Sequence, residues 1–401
     1  MDAARALSRL PDPAAVLRRR SFLRLAHRMA LPLREGNAVA LLEGGGAQLE
    51  ATKALIRGAR SSLLFEMYIW ADDPVGREIA ELLVDAVRRG VLVAGVVDAV
   101  GSWGADLLLA DLRAAGLRIQ SFHPVAPWRP MQVWNRRNHR KLLLADGDEA
   151  VVGSGNWGLD YATEQNTAAF VDLGVALRGP SVADLVEDFR TVWRRADGGA
   201  LELPPPAPQP PRWQAPWLEN ATVQLVSSAG RSGHRALRRH LLTLLRQTQE
   251  ELLVVNAYFV PGAALMRRLR RMARRGATVR ILLPGASDQP FVQAAGRSTY
   301  APLLAAGVRI LERKGRILHA KAALMDGETA LIGTANLDPR SFRHNLELNL
   351  LIRHPDLGPK LRDLFEAQAA RSEEITLEAW KKRSPASRLW ERFAYLFRWW
   401  L

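Results

Sequence analysis

One polar pattern occurs twice in this chain at a fixed separation. His139, Lys141, Asp146, Gly153, Ser154 and Asn156 recur 180 positions later as His319, Lys321, Asp326, Gly333, Thr334 and Asn336. Every internal spacing is kept, so both copies read HxKx4Dx6G[ST]xN. A repeat held only at apolar positions would say that two halves share a fold. This one also holds histidine and lysine, which carry acid–base and nucleophilic chemistry, and asparagine, which binds through hydrogen bonds. The chain therefore has to fold as two similar halves that each deliver one set of reactive groups.

The duplication extends beyond the motif. Arg88-Arg89-Gly90-Val91-Leu92-Val93 is echoed by Arg274-Arg275-Gly276-Ala277-Thr278-Val279, and Ala114-Ala115-Gly116-Leu117-Arg118-Ile119 by Ala305-Ala306-Gly307-Val308-Arg309-Ile310. Each reads as a helix stopped by glycine and feeding a strand. Ser62 to Ile69 and Glu251 to Tyr258 read as matching buried strands, each preceded by a basic amphipathic helix. Helix and strand alternate through both halves, which predicts an α/β fold of two tandem α-β-α sandwiches. Pro204-Pro205-Pro206 and the prolines from Pro208 to Pro211 predict an extended linker over 201–219. The expected organisation is a basic amphipathic segment at 1–36, a first domain at 37–200, a second at 220–375 and a tail at 376–401.

With 401 residues, 48% of them hydrophobic, the chain can fill two cores. The absence of cysteine excludes disulfides and thiolate metal sites and fits a reducing, cytoplasmic setting. A net charge of +15 draws the protein toward polyanions, either nucleic acid or an anionic lipid surface. The stretch nearest to a membrane span, Val91 to Ala110, is broken by Asp98, Gly101, Gly104 and Asp106. Arginines interrupt Leu17 to Leu33, so no export signal is expected. The tail RLWERFAYLFRWWL places Leu389, Phe393, Leu396, Phe397 and Trp400 on one helical face, with Arg388, Glu391, Arg392, Tyr395 and Trp399 on the other. Basic residues interleaved with Trp and Phe suit a helix lying among lipid headgroups, which predicts peripheral membrane contact.

On a strand, His139 and Lys141 project from one face, as do His319 and Lys321. The next strand of each half ends in Gly-Ser-Gly-Asn or Gly-Thr-Ala-Asn, where hydroxyl and amide groups can donate into the same pocket. Each half supplies one imidazole, one ammonium and one carboxamide, half of what in-line displacement at phosphorus requires. Facing each other, one imidazole attacks phosphorus to form a phosphohistidine while the other protonates the leaving oxygen. Lys141, Lys321, Asn156, Asn336, Ser154 and Thr334 are the candidates for binding the phosphate and stabilising the transition state. The lysines supply the neutralising charge, so no metal or other cofactor is expected. A neutral nucleophile held in one tautomer needs a carboxylate at its other nitrogen, and Glu164 and Glu347 follow the two motifs. Asp146 and Asp326, motif members at strand ends beside Gly147 and Gly327, either belong to the catalytic set or fix turns.

The duplicated HxKx4Dx6G[ST]xN resembles the motif of the phospholipase D superfamily, from about Asn37 to Ser372. The stretch Trp134-Asn135-Arg136-Arg137-Asn138-His139-Arg140-Lys141 resembles bacterial cardiolipin synthases. So does Gly333-Thr334-Ala335-Asn336-Leu337-Asp338-Pro339-Arg340-Ser341-Phe342, followed by Asn345-x-Glu347-x-Asn349. The resemblance is to the short type, without N-terminal transmembrane helices. It implies two halves related by a pseudo-twofold axis with one shared active site, His139 as nucleophile and His319 as general acid and base. It also implies carboxylates that cross between halves, Glu347 on His139 and Glu164 on His319. The implied activity is phosphatidyl transfer to phosphatidylglycerol, giving cardiolipin, at the cytoplasmic face of the bacterial membrane. Hydrolysis to phosphatidic acid and, further off, a nuclease activity are the alternatives, with anionic phospholipid as partner and no nucleic acid expected. The first copy departs from the pattern at Trp157, which follows Asn156, and in the stretch after it, which bears on substrate choice. Arg136 and Arg137 are candidates for a second anionic headgroup, and Trp103, Trp128 and Trp134 for headgroup-level contacts.

Overall fold

A computed structural model of the protein describes residues 32–125, 135–162, 169–205, 209–230 and 233–400. The first half runs β1 (Leu33–Glu43), α1 (Gly44–Gly58), β2 (Ser62–Met67), α2 (Pro74–Arg88), β3 (Leu92–Asp98), α3 (Asp106–Ala114), β4 (Arg118–Phe122), β5 (Leu142–Ala145), β6 (Glu149–Gly153), β7 (Leu173–Arg178) and α4 (Ser181–Arg195). The second half runs β8 (Leu218–Ser227), α5 (Gly233–Gln247), β9 (Glu251–Val255), α6 (Ala263–Arg274), β10 (Thr278–Pro284), α7 (Pro290–Arg297), α8 (Tyr300–Leu304), β11 (Arg309–Arg313), β12 (Ala322–Met325), β13 (Thr329–Gly333), β14 (Leu348–Arg353) and α9 (Leu357–Ala369). Three further elements follow, β15 (Ser372–Ile375), α10 (Leu377–Lys381) and α11 (Pro385–Leu396).

Gly90, Gly116, Gly276 and Gly307 follow α2, α3, α6 and α8 with φ of 86°, 100°, 92° and 91°. In that left-handed region a side chain is strained, so glycine reverses the chain and starts the next parallel strand. Within each half the three parallel strands carry the helices as crossovers, and the remaining four strands are antiparallel.

The strands form one continuous sheet in the order β15-β11-β10-β9-β12-β13-β14-β8-β1-β7-β6-β5-β2-β3-β4. Read outward from the β8–β1 pair, the two halves repeat the same order, with β15 added at one edge. That antiparallel pair joins Leu33 to Gln224 and Val39 to Leu218. The halves therefore share a core. One apolar cluster holds Val39, Val175 and Leu177 together with Leu225, Leu348 and Leu350, and two others lie within single halves. Burial of such side chains stabilises by about 1.5–3 kcal/mol each, so the sheet and the alignment of the halves are held by the same residues.

The described linker residues 201–205 and 209–217 form neither helix nor strand. Arg212 nevertheless pins them to the first half, at 2.7 Å from Asp146, 2.8 Å from Asp148 and 3.2 Å from Glu149.

Ser384 caps α11 by accepting a hydrogen bond from Ser387 N, with Pro385 in the first turn. Of the polar face expected from the sequence, Glu391 and Tyr395 turn inward, whereas Arg388, Arg392 and Trp399 stay exposed. Ala394 and Glu391 are buried, Glu391 forming an ion pair with Arg383. The outward face shows Leu389, Trp390, Phe393 and Leu396, 46–71% exposed. No helix among the described residues is long and apolar enough to cross a membrane.

Candidate active site

The motif histidines and lysines stand where β5 and β12 begin, at the seam between the halves. His139 N donates to Leu346 O at 3.0 Å and Leu346 N to Arg137 O at 2.8 Å. The mirror contacts are His319 N to Val171 O and Val171 N to Ile317 O, both 2.8 Å. Each motif segment is thus stitched to a short extended piece of the other half. The next residue of that piece is a carboxylate, Glu347 in one case and Asp172 in the other.

His139 Nδ1 lies 3.1 Å from Glu347 Oε2, and His319 Nδ1 lies 2.9 Å from Asp172 Oδ2. All four side chains are buried. The partner of His319 is therefore Asp172, where the sequence pointed to Glu164, which lies outside the described residues. The reason is register: Asp172 immediately precedes β7 as Glu347 immediately precedes β14. The signal was present as Val171-Asp172-Leu173-Gly174 against Leu346-Glu347-Leu348-Asn349. It was hidden because the histidine-to-carboxylate interval is 33 residues in the first half and 28 in the second.

Ser154 and Thr334 differ from their expected role as phosphate ligands. Ser154 Oγ donates to Asp172 Oδ1, and Thr334 Oγ1 donates to Glu347 Oε2. Each hydroxyl has one proton to donate, so these orient the carboxylates that orient the histidines. Ser341 Oγ adds a second donor, 2.8 Å from Glu347 Oε1. The motif glycines make the approach possible: a Cβ at Gly333 would sit 2.3 Å from Leu348 O, and one at Gly153 would sit 2.1 Å from Gln48 Oε1.

Asp146 and Asp326 settle as turn-fixing residues. They stand at the far ends of β5 and β12, seven residues beyond the histidines, or about 20 Å of extended chain. With φ of 49° in both, they accept backbone N–H groups instead of facing the site. Asp146 takes Arg60, Ser61 and Ser62; Asp326 takes Gln249, Glu250 and Glu251. Those donors begin β2 and β9, the first parallel strand of each half.

Lys141 Nζ donates to His139 O at 2.8 Å and lies 4.9 Å from the Tyr68 ring centre. Lys321 Nζ is 3.0 Å from His319 Nε2. Asn156 Oδ1 accepts Ile69 N at 3.1 Å, while Asn336 Oδ1 is buried with no hydrogen-bond partner among the described residues. Such an orphaned acceptor marks a place for a ligand or water. Aromatic rings wall the site, Tyr68 at 4.9 Å from His139 and Tyr161 and Phe170 at 5.3 and 5.7 Å from His319. Sequence reasoning passed over these rings because no motif contains them.

The electrostatics are those of a buried, cation-rich pocket. Burial, then Lys141 and Lys321, push His139 well below the usual histidine value. Burial and Lys321 lower His319, which Asp172 partly offsets. Burial brings Lys321 down to about 8 and lowers Lys141 strongly, Lys321 adding to the effect on Lys141 while Glu347 and Asp172 oppose it. Burial raises Glu347 to about 7 against its hydroxyl donors and the lysines. A phosphodiester anion placed here would favour the charged form of every cation around it.

Arg137 is buried, 3.4 Å from Asp98, and donates to His123 O at 2.9 Å, so it braces the motif segment and leaves Arg136 exposed. Trp103 is 76% exposed, whereas Trp128 and Trp134 lie outside the described residues.

The description "Cardiolipin synthase, PLD-like domain" matches the chain twice, over residues 52–193 and 241–369. Cardiolipin synthase B of Escherichia coli strain K12 is 32% identical over 346 residues, covering 82% of this chain and 80% of that protein. Cardiolipin synthase A of Pseudomonas aeruginosa strain UCBPP-PA14 is 32% identical over 349 residues, 86% of this chain and 70% of that one. Among solved structures, phosphatidylserine synthase of Haemophilus influenzae matches with a TM-score of 0.71 at 16% identity, over 96% of this chain and 99% of that chain, a likeness of fold. With a duplicated motif, one shared seam and these relatives, the chain belongs to the phospholipase D-like cardiolipin synthase family of phospholipid-modifying enzymes.

Proposed function

We propose that the protein is a phosphatidyltransferase that makes cardiolipin from two molecules of phosphatidylglycerol through a phosphohistidine. The observation that carries this reading is the crossed arrangement of two imidazoles, each held at Nδ1 by a carboxylate of the opposite half, with a lysine beside each. Holding Nδ1 as a donor leaves Nε2 for chemistry.

In the first step His139 Nε2 attacks phosphorus and the bond to the headgroup glycerol breaks. The leaving oxygen takes its proton from His319 Nε2. In the second step His319 removes a proton from a hydroxyl of the incoming phosphatidylglycerol, whose oxygen attacks phosphorus as the phosphorus–nitrogen bond breaks. Lys141, Lys321, Asn156 and Asn336 line the nonbridging oxygens. His139 is assigned the nucleophile because no hydrogen bond engages its Nε2 among the described residues, whereas Lys321 meets that of His319. Water entering in the second step would give phosphatidic acid by the same route, so the ratio of transfer to hydrolysis depends on how well the aromatic walls exclude it.

Membrane contact is peripheral in this reading and uses two exposed apolar tips. Val100, Trp103 and Leu107 lie beyond β3, in a loop and helix tied by Asp98 to Asn138 N at 2.8 Å, one residue before His139. The outward face of α11 continues into Trp399 and Trp400, and Arg340 of the loop after the second motif reaches Trp400 O at 3.3 Å. Apolar tips on a chain of net charge +15 suit the anionic cytoplasmic leaflet.

The test is lipid mass spectrometry after incubating the protein with phosphatidylglycerol vesicles. Cardiolipin from the wild type and none from His139→Ala supports transfer. Phosphatidic acid as the sole product makes the enzyme a phospholipase D, and no lipid product from any phospholipid overturns the reading.

A further inference from the structure

Behind His319, on the side of the sheet covered by α9, lies an apolar cavity of about 250 Å³. Its walls include Leu253, Leu318, Ala320, Leu361 and Phe365, and Arg313, Arg316 and Arg371 gather at one end. The volume is near the lower end of the roughly 300–1,000 Å³ typical of ligand pockets.

The pseudo-twofold shows what has been taken out of it. The equivalent space in the first half is filled by a buried polar cluster. There Arg140 lies 2.6 Å from Asp188, 3.0 Å from Glu66 and 3.0 Å from Ser227 Oγ. Arg140 follows His139 as Ala320 follows His319. Glu66 faces Leu142 across β2–β5 as Val255 faces Ala322 across β9–β12. Asp188 precedes buried Phe189 as Leu364 precedes buried Phe365, and Ser227 pairs with Leu348 as Glu43 pairs with Leu173. All four counterparts, Ala320, Val255, Leu364 and Glu43, line the cavity. Two other arginines were not removed with the rest. Arg316 stands three residues before its histidine as Arg136 does, and Arg371 six residues after its phenylalanine as Arg195 does.

Arg195 stands near Asp188 and Arg136, but in the second half that carboxylate has become Leu364. Arg313 is buried, and among the described residues its guanidinium meets only neutral acceptors, Gln368 Oε1 at 2.8 Å, Lys314 O at 2.9 Å and Arg316 O at 2.6 Å. Arg316 donates to Ala169 O at 2.6 Å, and Arg371 is exposed. Two carboxylates face the same space. Asp172 already accepts from His319, Ser154 and Leu173 N, and Glu43 is exposed at the rim. An apolar chamber ending in arginines matches an amphiphile with one hydrocarbon chain and an anionic head.

We propose that this cavity binds one acyl chain of a phosphate-headed lipid, with the phosphate held by Arg316 and Arg371. The site is distinct from the phosphate position between the two Nε2 atoms, because Asp172 and His319 stand between them. It does not depend on the reaction proposed above. Asp172, the carboxylate that orients His319, is part of its wall.

Isothermal titration of the full chain with decyl phosphate, decanol and inorganic phosphate tests the proposal. Decyl phosphate should bind more tightly than either of the others. Arg316→Gln/Arg371→Gln should weaken it at least tenfold, and so should Leu364→Asp, which restores the missing carboxylate; Lys321→Ala should leave this binding in place. Arg371→Gln alone, at an exposed position, guards against misfolding of the others and should weaken binding severalfold. Equal affinity in the double arginine variant, loss only in Lys321→Ala, or inorganic phosphate binding as tightly as decyl phosphate would each overturn the proposal.

Discussion

The two halves agree in what touches the reaction and disagree in what lies behind it. Each offers a histidine, a lysine, a carboxylate from the other half and a hydroxyl that holds the carboxylate. Beneath His139 the structure is a buried ionic cluster, and beneath His319 the same positions are apolar and leave space. Sheet register and the contacts across the seam keep the reactive groups in place, while the layer beneath has diverged. Two chemically matched histidines then sit on unlike foundations, and the lysines already differ: both donate to the carbonyl of their own half's histidine, but Lys321 also meets that imidazole whereas Lys141 lies against the Tyr68 ring.

The sharpest test of that difference is removal of each imidazole in turn. His139→Ala and His319→Ala should both lose at least about 10³-fold in turnover, yet leave different traces. With His139 as nucleophile, acid-labile phosphate should still accumulate on the His319→Ala chain and be absent from His139→Ala. Labelling of His319 in place of His139 would reverse the assignment.

The next largest effect should fall on stability. Arg140→Ala leaves Glu66 and Asp188 buried without their cation and should cost about 3–5 kcal/mol, measured by denaturant unfolding. Arg140→Ala/Glu66→Val/Asp188→Leu rebuilds the first half in the image of the second and should recover most of that loss, because a buried ion pair replaced as a whole is close to neutral. If the triple variant is as unstable as the single one, the cluster supports the fold in a way its apolar counterpart does not.

A smaller effect separates the two carboxylates from Glu164. Glu347→Gln and Asp172→Asn should each lower turnover by roughly 10²-fold or more, through loss of the oriented tautomer, with similar size in the two halves. Glu164→Gln should stay within about twofold. A large loss there together with a small one at Asp172 would restore Glu164 as the partner of His319.

How much of this could be read from the chain follows from which signals are local. The histidines, lysines and asparagines were legible because their spacing is duplicated, and Glu347 because it sits in a distinctive phrase. Asp172 was not, since the interval leading to it differs between copies and Glu164 offered a nearer carboxylate. Ser154 and Thr334 looked like phosphate donors because a motif shows proximity without showing who accepts. The alternation of helix and strand announced an α/β fold, but the joining of both halves into one sheet rests on β1 pairing with β8, a contact between residues about 180 apart with no polar signature. The Arg140 cluster joins β2, α4 and β8 and has no sequence neighbourhood at all.

The same cluster supplies the smallest and most selective test. Burial raises Glu66 to about 7 against the pull of Arg140 and the hydrogen bond from Asn138. Burial, with Asp188 adding to it, outweighs Arg140 at Glu66, so Glu66 gains by holding a proton. A group whose folded pKa is raised contributes stability that is fully present below its unfolded value, near 4.5, and lost as pH rises through about 7. Glu66→Gln keeps the shape and does not titrate. Relative to that variant, the wild type should therefore be most stable near pH 5 and lose ground up to pH 8, read as the difference in unfolding midpoint at each pH. Val255 holds the matching place in the second half and adds no such dependence, so a difference that is flat with pH would mean that Glu66 is ionised throughout and that Arg140 balances both of its acids.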